Sequence, residues 1–367
     1  MPGLFALISC GRLLQDATLP SAARWPLYKA RELHREDTAL LGAFLRHRGS
    51  EHVSFHSTGE YILTLYGHCA DPRIGHHLQA EELLAALQRE GDGVLDRLEG
   101  DFYALEIDRT RSRVRLFNDR IGTLAVYWHY HDGILAVAPR LGMLPATARQ
   151  AGVNPGAAIM FLSIGHYLGP NTLLQEANFL TPATIISLDL QTGRLTQKRY
   201  WNLVYNPDTD ASPATLCRRL GESIQEATSL LTQPEAGRGG IFLSGGWDSR
   251  ALLGAALAVG RPPALVVTNG MSDEIPGADT FLARRLAGDL DLPYKFCRRV
   301  PDIGPAAWLD GLHKGEITTA NNPENFGQHG LDADFFGDLE FMLKGDVTWG
   351  SGAPALSREQ SINKVVP

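Results

Sequence analysis

The chain has 367 residues, with 34 Lys+Arg against 41 Asp+Glu for a formal net charge of −7. At 44% hydrophobic and 20% charged residues it is composed like a core-forming globular protein of about two domains, which excludes a disordered chain. The acidic balance argues against nucleic acid as a partner, because a general electrostatic footprint needs concentrated Lys and Arg on the phosphates.

Met1-Pro2-Gly3-Leu4-Phe5-Ala6-Leu7-Ile8 is a short apolar run without a basic stretch before it or a small-residue cleavage signature after it, and reads as a first β-strand. No segment approaches the roughly 20 uninterrupted apolar residues of a membrane span, so a soluble protein with no membrane partner is expected. Cys10, Cys69, Cys217 and Cys297 form no C-x-x-C pair. A reducing, cytoplasmic setting fits that usage.

From residue 1 to about 200 the pattern is mostly period-two. Short apolar alternations around Leu63, Phe102–Ile107, Val114, Val126 and Ile134 are cut by turn formers at Arg109-Thr110-Arg111-Ser112 and His131-Asp132-Gly133. This predicts stacked antiparallel hairpins, interrupted by helices near Ala80–Gln88 and Pro155–Ile164. The first half is therefore expected to be α+β. His76-His77 reads as a solvated loop rather than a metal site, since adjacent side chains in regular structure point apart.

After Tyr200-Trp201-Asn202-Leu203 the grammar changes. A polar run, Asn206–Pro213, precedes apolar residues at helical spacing over Ala214–Thr232. A strand at Gly240–Leu243, a helix over Arg250–Val259, a strand at Ala264–Thr268 and a helix over Ala278–Asp289 then follow in alternation. Strand-helix-strand-helix predicts an α/β domain with a parallel sheet. The organisation expected is a domain over 1–203 and a second over 204–367. Asp332, Asp334, Asp338 and Glu340, mixed with Phe335, Phe336 and Phe341, read as a partly exposed helix, and Arg284-Arg285 as a solvent-facing pair.

The chemistry concentrates at Leu243-Ser244-Gly245-Gly246-Trp247-Asp248-Ser249-Arg250, a glycine turn between the first parallel strand and its helix. Open parallel sheets bind ligands at the carboxyl ends of their strands, and a helix N-terminus offers backbone N–H groups to an anion. Gly245 and Gly246 admit close approach, and Ser244 and Ser249 add hydroxyls. Asp248 makes sense if Mg²⁺ bridges it to phosphates. A bare Ser-Gly-Gly is most often only a flexible turn, but this six-residue pattern between apolar strand and apolar helix points to a nucleotide pyrophosphate. The Walker pattern G-x-x-x-x-G-K-[ST] is absent.

This loop resembles the PP-loop of the ATP pyrophosphatases, in the form found in the asparagine synthetase family. Thr268-Asn269-Gly270, then Asp279 and Ala283–Pro293, are similar to that family's second strand and following helix, and Leu343-Lys344-Gly345-Asp346 to its later S-G-D segment. The resemblance implies that Leu243, Ser244, Gly245, Gly246, Asp248, Ser249, Asn269 and Gly345 bind ATP, and that Asp248 and Asp346 hold Mg²⁺. In the first half, Leu98-Glu99-Gly100-Asp101-Phe102, Asn118-Asp119-Arg120-Ile121-Gly122, Thr172–Leu174, Leu180–Thr184 and Arg199-Tyr200-Trp201-Asn202 are similar to the class II glutamine amidotransferase domain of the same family. The fold implied is Ntn-hydrolase-like, followed by an adenine nucleotide alpha hydrolase-like PP-loop domain.

Two departures bear on mechanism. The family's glutaminase uses a cysteine that becomes the N-terminal residue, its free amine acting as base toward its own thiol; here that position is Pro2, so no catalytic residue is assigned and no glutamine hydrolysis is expected. Cys10, with its amine in a peptide bond and its place in an apolar strand, reads as a small core residue. β-Lactam synthetases and lasso-peptide cyclases are amide-forming relatives with a similar loss. The second departure lies past Gly345-Asp346. Val347 stands where an acidic residue usually follows, and the later helices of the family are lacking, which implies a fragment or a naturally short member.

The function expected from this resemblance is ATP-dependent adenylation of a small-molecule or peptide carboxylate with release of pyrophosphate, then attack by ammonia or a substrate amine. The alternative is a catalytically impaired or non-enzymatic nucleotide-binding relative. An RNA-modifying PP-loop enzyme is disfavoured by the acidic charge and the lack of a cysteine pair. A homodimer is an allowed assembly.

Overall fold

A computed structural model describes residues 3–21, 28–46, 52–150, 152–234, 237–298 and 338–345. In the first half the strands are β1 (Gly3–Ser9), β2 (Tyr28–Glu36), β3 (Ala39–Arg46), β4 (Val53–Ser57), β5 (Tyr61–Asp71), β6 (His76–His77), β7 (Glu99–Asp108), β8 (Arg113–Asn118), β9 (Tyr127–His131), β10 (Ile134–Ala138), β11 (Asn178–Phe179), β12 (Thr184–Asp189) and β13 (Leu195–Arg199). Helices α1 (Ala80–Glu90), α2 (Ala146–Gln150) and α3 (Pro155–Ile164) are set among them.

These strands form two antiparallel sheets, in the orders β11-β9-β10-β1-β3-β2 and β13-β12-β8-β7-β5-β4, with β6 on β5. Leu4, Ile8, Leu41 and Val137 of the first sheet meet Ile62, Tyr66, Leu105 and Leu116 of the second in one buried cluster. Because side chains alternate along a strand, Leu63 and Leu65 of β5 point the other way and pack under Leu83 and Leu87 of α1. The outer face of the first sheet is covered in turn by Met143, Leu144 and Ala148. Burial on both faces explains why β1, β3 and β10 are nearly continuous apolar runs.

Turn chemistry sets the registers. Asp132 and Gly133, at φ 52° and 73°, close the two-residue turn between β9 and β10, where His131 pairs with Ile134; positive φ at both positions is the primed geometry that matches strand twist. The expected helix boundaries in this half hold closely, α1 through a Gln79/Glu82 capping box and α3 through Asn154, Pro155 and the left-handed Gly165. Asn118 receives the Tyr200 hydroxyl on its carbonyl at 2.6 Å and the Thr184 N–H on Oδ1 at 3.1 Å, while Arg120 lies over the Trp201 ring. Segments far apart in sequence are thus joined at one corner.

Two sequence readings in this half are corrected. His76-His77 is a short strand on β5, with His76 Nε2 2.8 Å from Glu82 and His77 Nε2 2.7 Å from the Leu230 carbonyl oxygen. Adjacent side chains do point apart: His76 stays exposed beside Glu82, while His77 turns to the Leu230 carbonyl. Cys10 lies one residue beyond β1, partly exposed, with its thiol 3.9 Å from the Tyr130 hydroxyl; partial burial raises its pKa. The four cysteines are free.

Between Tyr200 and Ser212 no helix or strand forms, and Leu203, Val204 and Tyr205 are exposed. Then come α4 (Pro213–Leu231), β14 (Gly239–Phe242), α5 (Trp247–Ala258), β15 (Leu265–Gly270), α6 (Asp279–Asp289), β16 (Tyr294–Arg298) and β17 (Phe341–Lys344). Ser212 caps α4 by accepting the Thr215 N–H. The four strands are all parallel, in the order β16-β15-β14-β17. Phe341 is therefore on a strand, not on the helix expected from its aromatic neighbours, and Asp338 and Glu340 lead into it; Asp332, Asp334, Phe335 and Phe336 lie outside the described residues. α5 starts at Trp247, three residues ahead of the predicted helix, since the loop is shorter than its glycines suggest. Arg284 and Arg285 are exposed as expected. Among the described residues no helix is long and apolar enough to cross a membrane.

Candidate functional site

The order β16-β15-β14-β17 runs from β14 through β15 to β16 on one flank and has β17 on the other, so the strand order reverses at β14. That switch point is where open parallel sheets form a ligand crevice at their carboxyl ends. Leu243, buried at the end of β14, donates its N–H to the Val267 carbonyl at 2.8 Å and holds the following turn against β15.

Ser244, Gly245 and Gly246 make that turn. Gly246 is the N-cap of α5, in extended backbone and without a side-chain cap, so the first-turn N–H groups of α5 receive nothing from a capping side chain. Ser249 is only 5% exposed. Its Oγ accepts the Ser244 N–H at 3.1 Å and lies 3.0 Å from the Ser244 Oγ, which in turn accepts the Gly246 N–H at 3.1 Å. The Ser249 hydroxyl thus braces the loop. Asp248, in the first turn of α5, is partly exposed. Arg250 donates to the Gly246 carbonyl at 3.1 Å and stacks 4.4 Å from the centre of the exposed Trp247 ring.

Glycine is required at two places by contact rather than by φ. A Cβ at Gly345, just past β17, would stand 2.7 Å from the Ser249 nitrogen and 2.8 Å from the Asp248 carbonyl carbon. A Cβ at Gly245 would stand 2.5 Å from Asp279 Oδ1 and 3.1 Å from Asp279 Cα. Gly345 and the Ser244–Ser249 loop, separated by about a hundred residues of chain, are therefore in contact. Asn269 sits at the carboxyl end of β15, opposite Cys297 of β16. Asp346 and Pro2 lie outside the described residues.

Asp279 was not singled out as a site residue by the sequence. An acid in the first turn of a helix is ordinarily explained by the helix dipole, and only the contact with Gly245 shows that its carboxylate borders the loop. The glycines let the Gly345 backbone and Asp279 pack against the loop, and Asp248 and Asp279 are carboxylates of the kind that bind Mg²⁺.

A second feature escaped sequence reading because it is assembled from distant strands. A cavity of about 730 Å³ is lined on one side by His68, His77, Glu99 and Asp101 and on the other by Glu226, Leu230, Leu252 and Lys344, so it lies between the antiparallel sheets and the parallel one. His68 packs against both His52 and His77, at ring separations of 4.2 and 5.1 Å. His68 Nδ1 is 3.3 Å from Asp101 Oδ1, while the buried His68 Nε2 has no hydrogen-bond partner among the described residues. Burial, and next the neighbouring His68, hold the His52 pKa down at about 4.

Comparison with known proteins bears on the first half. No curated protein matches the chain. Among solved structures the chain is similar to a glutamine phosphoribosylpyrophosphate amidotransferase from B. subtilis complexed with ADP and GMP, at 9% identity and TM-score 0.31 over 83% of this chain and 68% of that one. It is also similar to a structure described as the allosteric regulatory enzyme of purine biosynthesis, at 11% identity and TM-score 0.30 over 93% and 83% of the two chains. Residues 73–201, from just before β6 to just past β13, match the family described as glutamine amidotransferase domain. The stretch similar to that glutamine amidotransferase domain carries α1, strands β9 to β11 of the first sheet and strands β7, β8, β12 and β13 of the second.

Proposed function

We propose that this chain is an asparagine synthetase-like, ATP-dependent amide-forming ligase, in which a carboxylate is adenylated with release of pyrophosphate and then captured by ammonia or a substrate amine. The observation that carries this reading is the contact of Gly345 with the Ser244–Ser249 loop at the switch point of the parallel sheet. Leu243 to Gly246 and Ser249 shape the turn, the N-terminus of α5 offers N–H groups to a pyrophosphate, and Asn269 lies where the adenosine end would run along the sheet edge. Asp248, with Asp346, would hold Mg²⁺. When bound, Mg²⁺ neutralises charge building on the departing pyrophosphate.

The amidotransferase-type domain in this reading does not hydrolyse glutamine. Pro2 supplies neither thiol nor primary amine, and Cys10 carries a thiol whose pKa is raised by burial and whose amine is in a peptide bond. The amine therefore comes from ammonia or from the substrate. Ammonia release from glutamine that thiol alkylation abolishes would overturn this part of the reading.

The test of the ligase reading is Mg²⁺-dependent exchange of labelled pyrophosphate into ATP, run with the full chain against a panel of amino-acid, peptide and sugar carboxylates. Exchange with at least one acid, lost in Asp248→Ala, is expected. Nucleotide binding without exchange for any acid would favour the non-catalytic alternative, and exchange that survives Asp248→Ala would remove the role given to that carboxylate.

A further inference from the structure

We propose that His129, His131 and Glu176 form a site for a divalent transition ion of the zinc class on the outer face of the first antiparallel sheet. Among the described residues these three are the group whose ligand atoms, one from each side chain, all lie within 4.8 Å of one another. His129 and His131 are two apart on β9, so the alternation of a strand turns both imidazoles to the same face. Their rings are nearly parallel, 10° apart in plane and 5.8 Å between centres. Glu176 comes from the segment just before β11, the strand that pairs with β9.

The His131–Glu176 separation suits a metal, and the remaining ligand-atom separations are no more than 4.8 Å. Zinc bonds of about 2.0–2.2 Å to nitrogen and oxygen place two ligands of a tetrahedron roughly 3.3–3.5 Å apart, and His131 Nδ1 lies 3.4 Å from Glu176 Oε2. The far side of the same ring faces a second carboxylate, with His131 Nε2 3.9 Å from Asp132 Oδ1. His129 is 2% exposed, with Nδ1 3.0 Å from the Glu176 backbone oxygen and Nε2 3.5 Å from Thr147 Oγ1. One of those contacts yields to the ion, and the other keeps the ring in place.

Two imidazoles and one carboxylate are a donor set for zinc-class ions rather than for Mg²⁺ or Ca²⁺, which take oxygen ligands. Three protein ligands leave one position for water or another small ligand. Since His131 and Glu176 are about half exposed, an ion can enter without unfolding the sheet. Once bound it would tie the chain ahead of β11 to β9, and binding would weaken as the imidazoles protonate.

The test uses the full chain, stripped of metal with a chelator, and titrated with Zn²⁺ against a chromophoric competitor at pH 7.5. One Zn²⁺ per chain is expected, with affinity lowered at least tenfold in both His131→Ala and Glu176→Gln and unchanged in His76→Ala, a control at an exposed histidine paired with Glu82. Co²⁺ in place of Zn²⁺ should give the absorption of a four-coordinate ion, lost in the same two variants. No stoichiometric Zn²⁺ binding by the parent chain, or binding that survives either substitution at His131 or Glu176, would overturn the proposal.

Discussion

The backbone of Gly345 rests on the amide of Ser249, so that a methyl group added at 345 would stand 2.7 Å from the Ser249 nitrogen. The atoms in the way are backbone at the start of α5, and no rotamer change relieves the clash. Gly345→Ala is expected to cost about 1–3 kcal/mol of stability, the range of overpacking, and to lower nucleotide affinity more than tenfold. Thermal melts with and without MgATP measure both effects. Full affinity in the alanine variant would show that the loop does not depend on this contact.

Ser249 makes a different contribution. Its buried hydroxyl accepts the Ser244 N–H and sits 3.0 Å from the Ser244 Oγ. Ser249→Ala leaves the Ser244 N–H without that acceptor, at a cost of roughly 1–3 kcal/mol, and frees the turn ahead of Asp248. Weaker MgATP binding in equilibrium titrations should accompany a lower melting temperature. Ser249→Thr, which restores a hydroxyl, should recover part of the loss.

In the first half of the chain a sensitive polar position is Arg115, 7% exposed, paired with the 3%-exposed Glu106 and with Asp92 at 2.6 Å. Removing one partner strands a buried charge, which typically costs 3–5 kcal/mol. Glu106→Ala is expected near the lower end, about 3 kcal/mol, because Asp92 still faces the guanidinium. Arg115→Met with Glu106→Leu, which removes both charges, should cost much less. Urea denaturation of the single and double variants distinguishes a charge penalty from lost packing.

Much of this architecture was legible because local rules agreed with the tertiary result. Pro155–Ile164 could be read as a helix because Asn154, Pro155 and Gly165 cap and stop it, and the turn at Asp132-Gly133 was fixed by residues that tolerate positive φ. The Ser244–Ser249 loop was found as contiguous sequence. What escaped depends on meetings between remote segments. Asp279 borders the loop only because α6 packs on Gly245, and His52, His68 and His77 come from separate stretches brought together by pairing and packing. Phe341 was misassigned for the same reason: its strand exists by pairing with β14 about a hundred residues earlier, which no local pattern encodes.

The histidine cluster makes stability depend on pH with a definite sign. His52 titrates near 4 in the folded protein, because burial and the neighbouring His68 and His77 oppose its charge more than Asp101 and Glu340 favour it, against about 6.5 when unfolded. As pH falls below 6.5 the unfolded chain takes up a proton that the folded chain refuses, so stability is lost, until near pH 4 the folded His52 also protonates. Allowing for its partial exposure, the loss across that window is roughly 2 kcal/mol. His52→Asn removes this contribution and leaves the carboxylates that titrate in the same range. The difference in unfolding free energy between parent and variant should therefore change by that amount from pH 7 to pH 4, the parent losing more. Parallel pH profiles for the two proteins would show that His52 is as free to ionise in the folded chain as in the unfolded one.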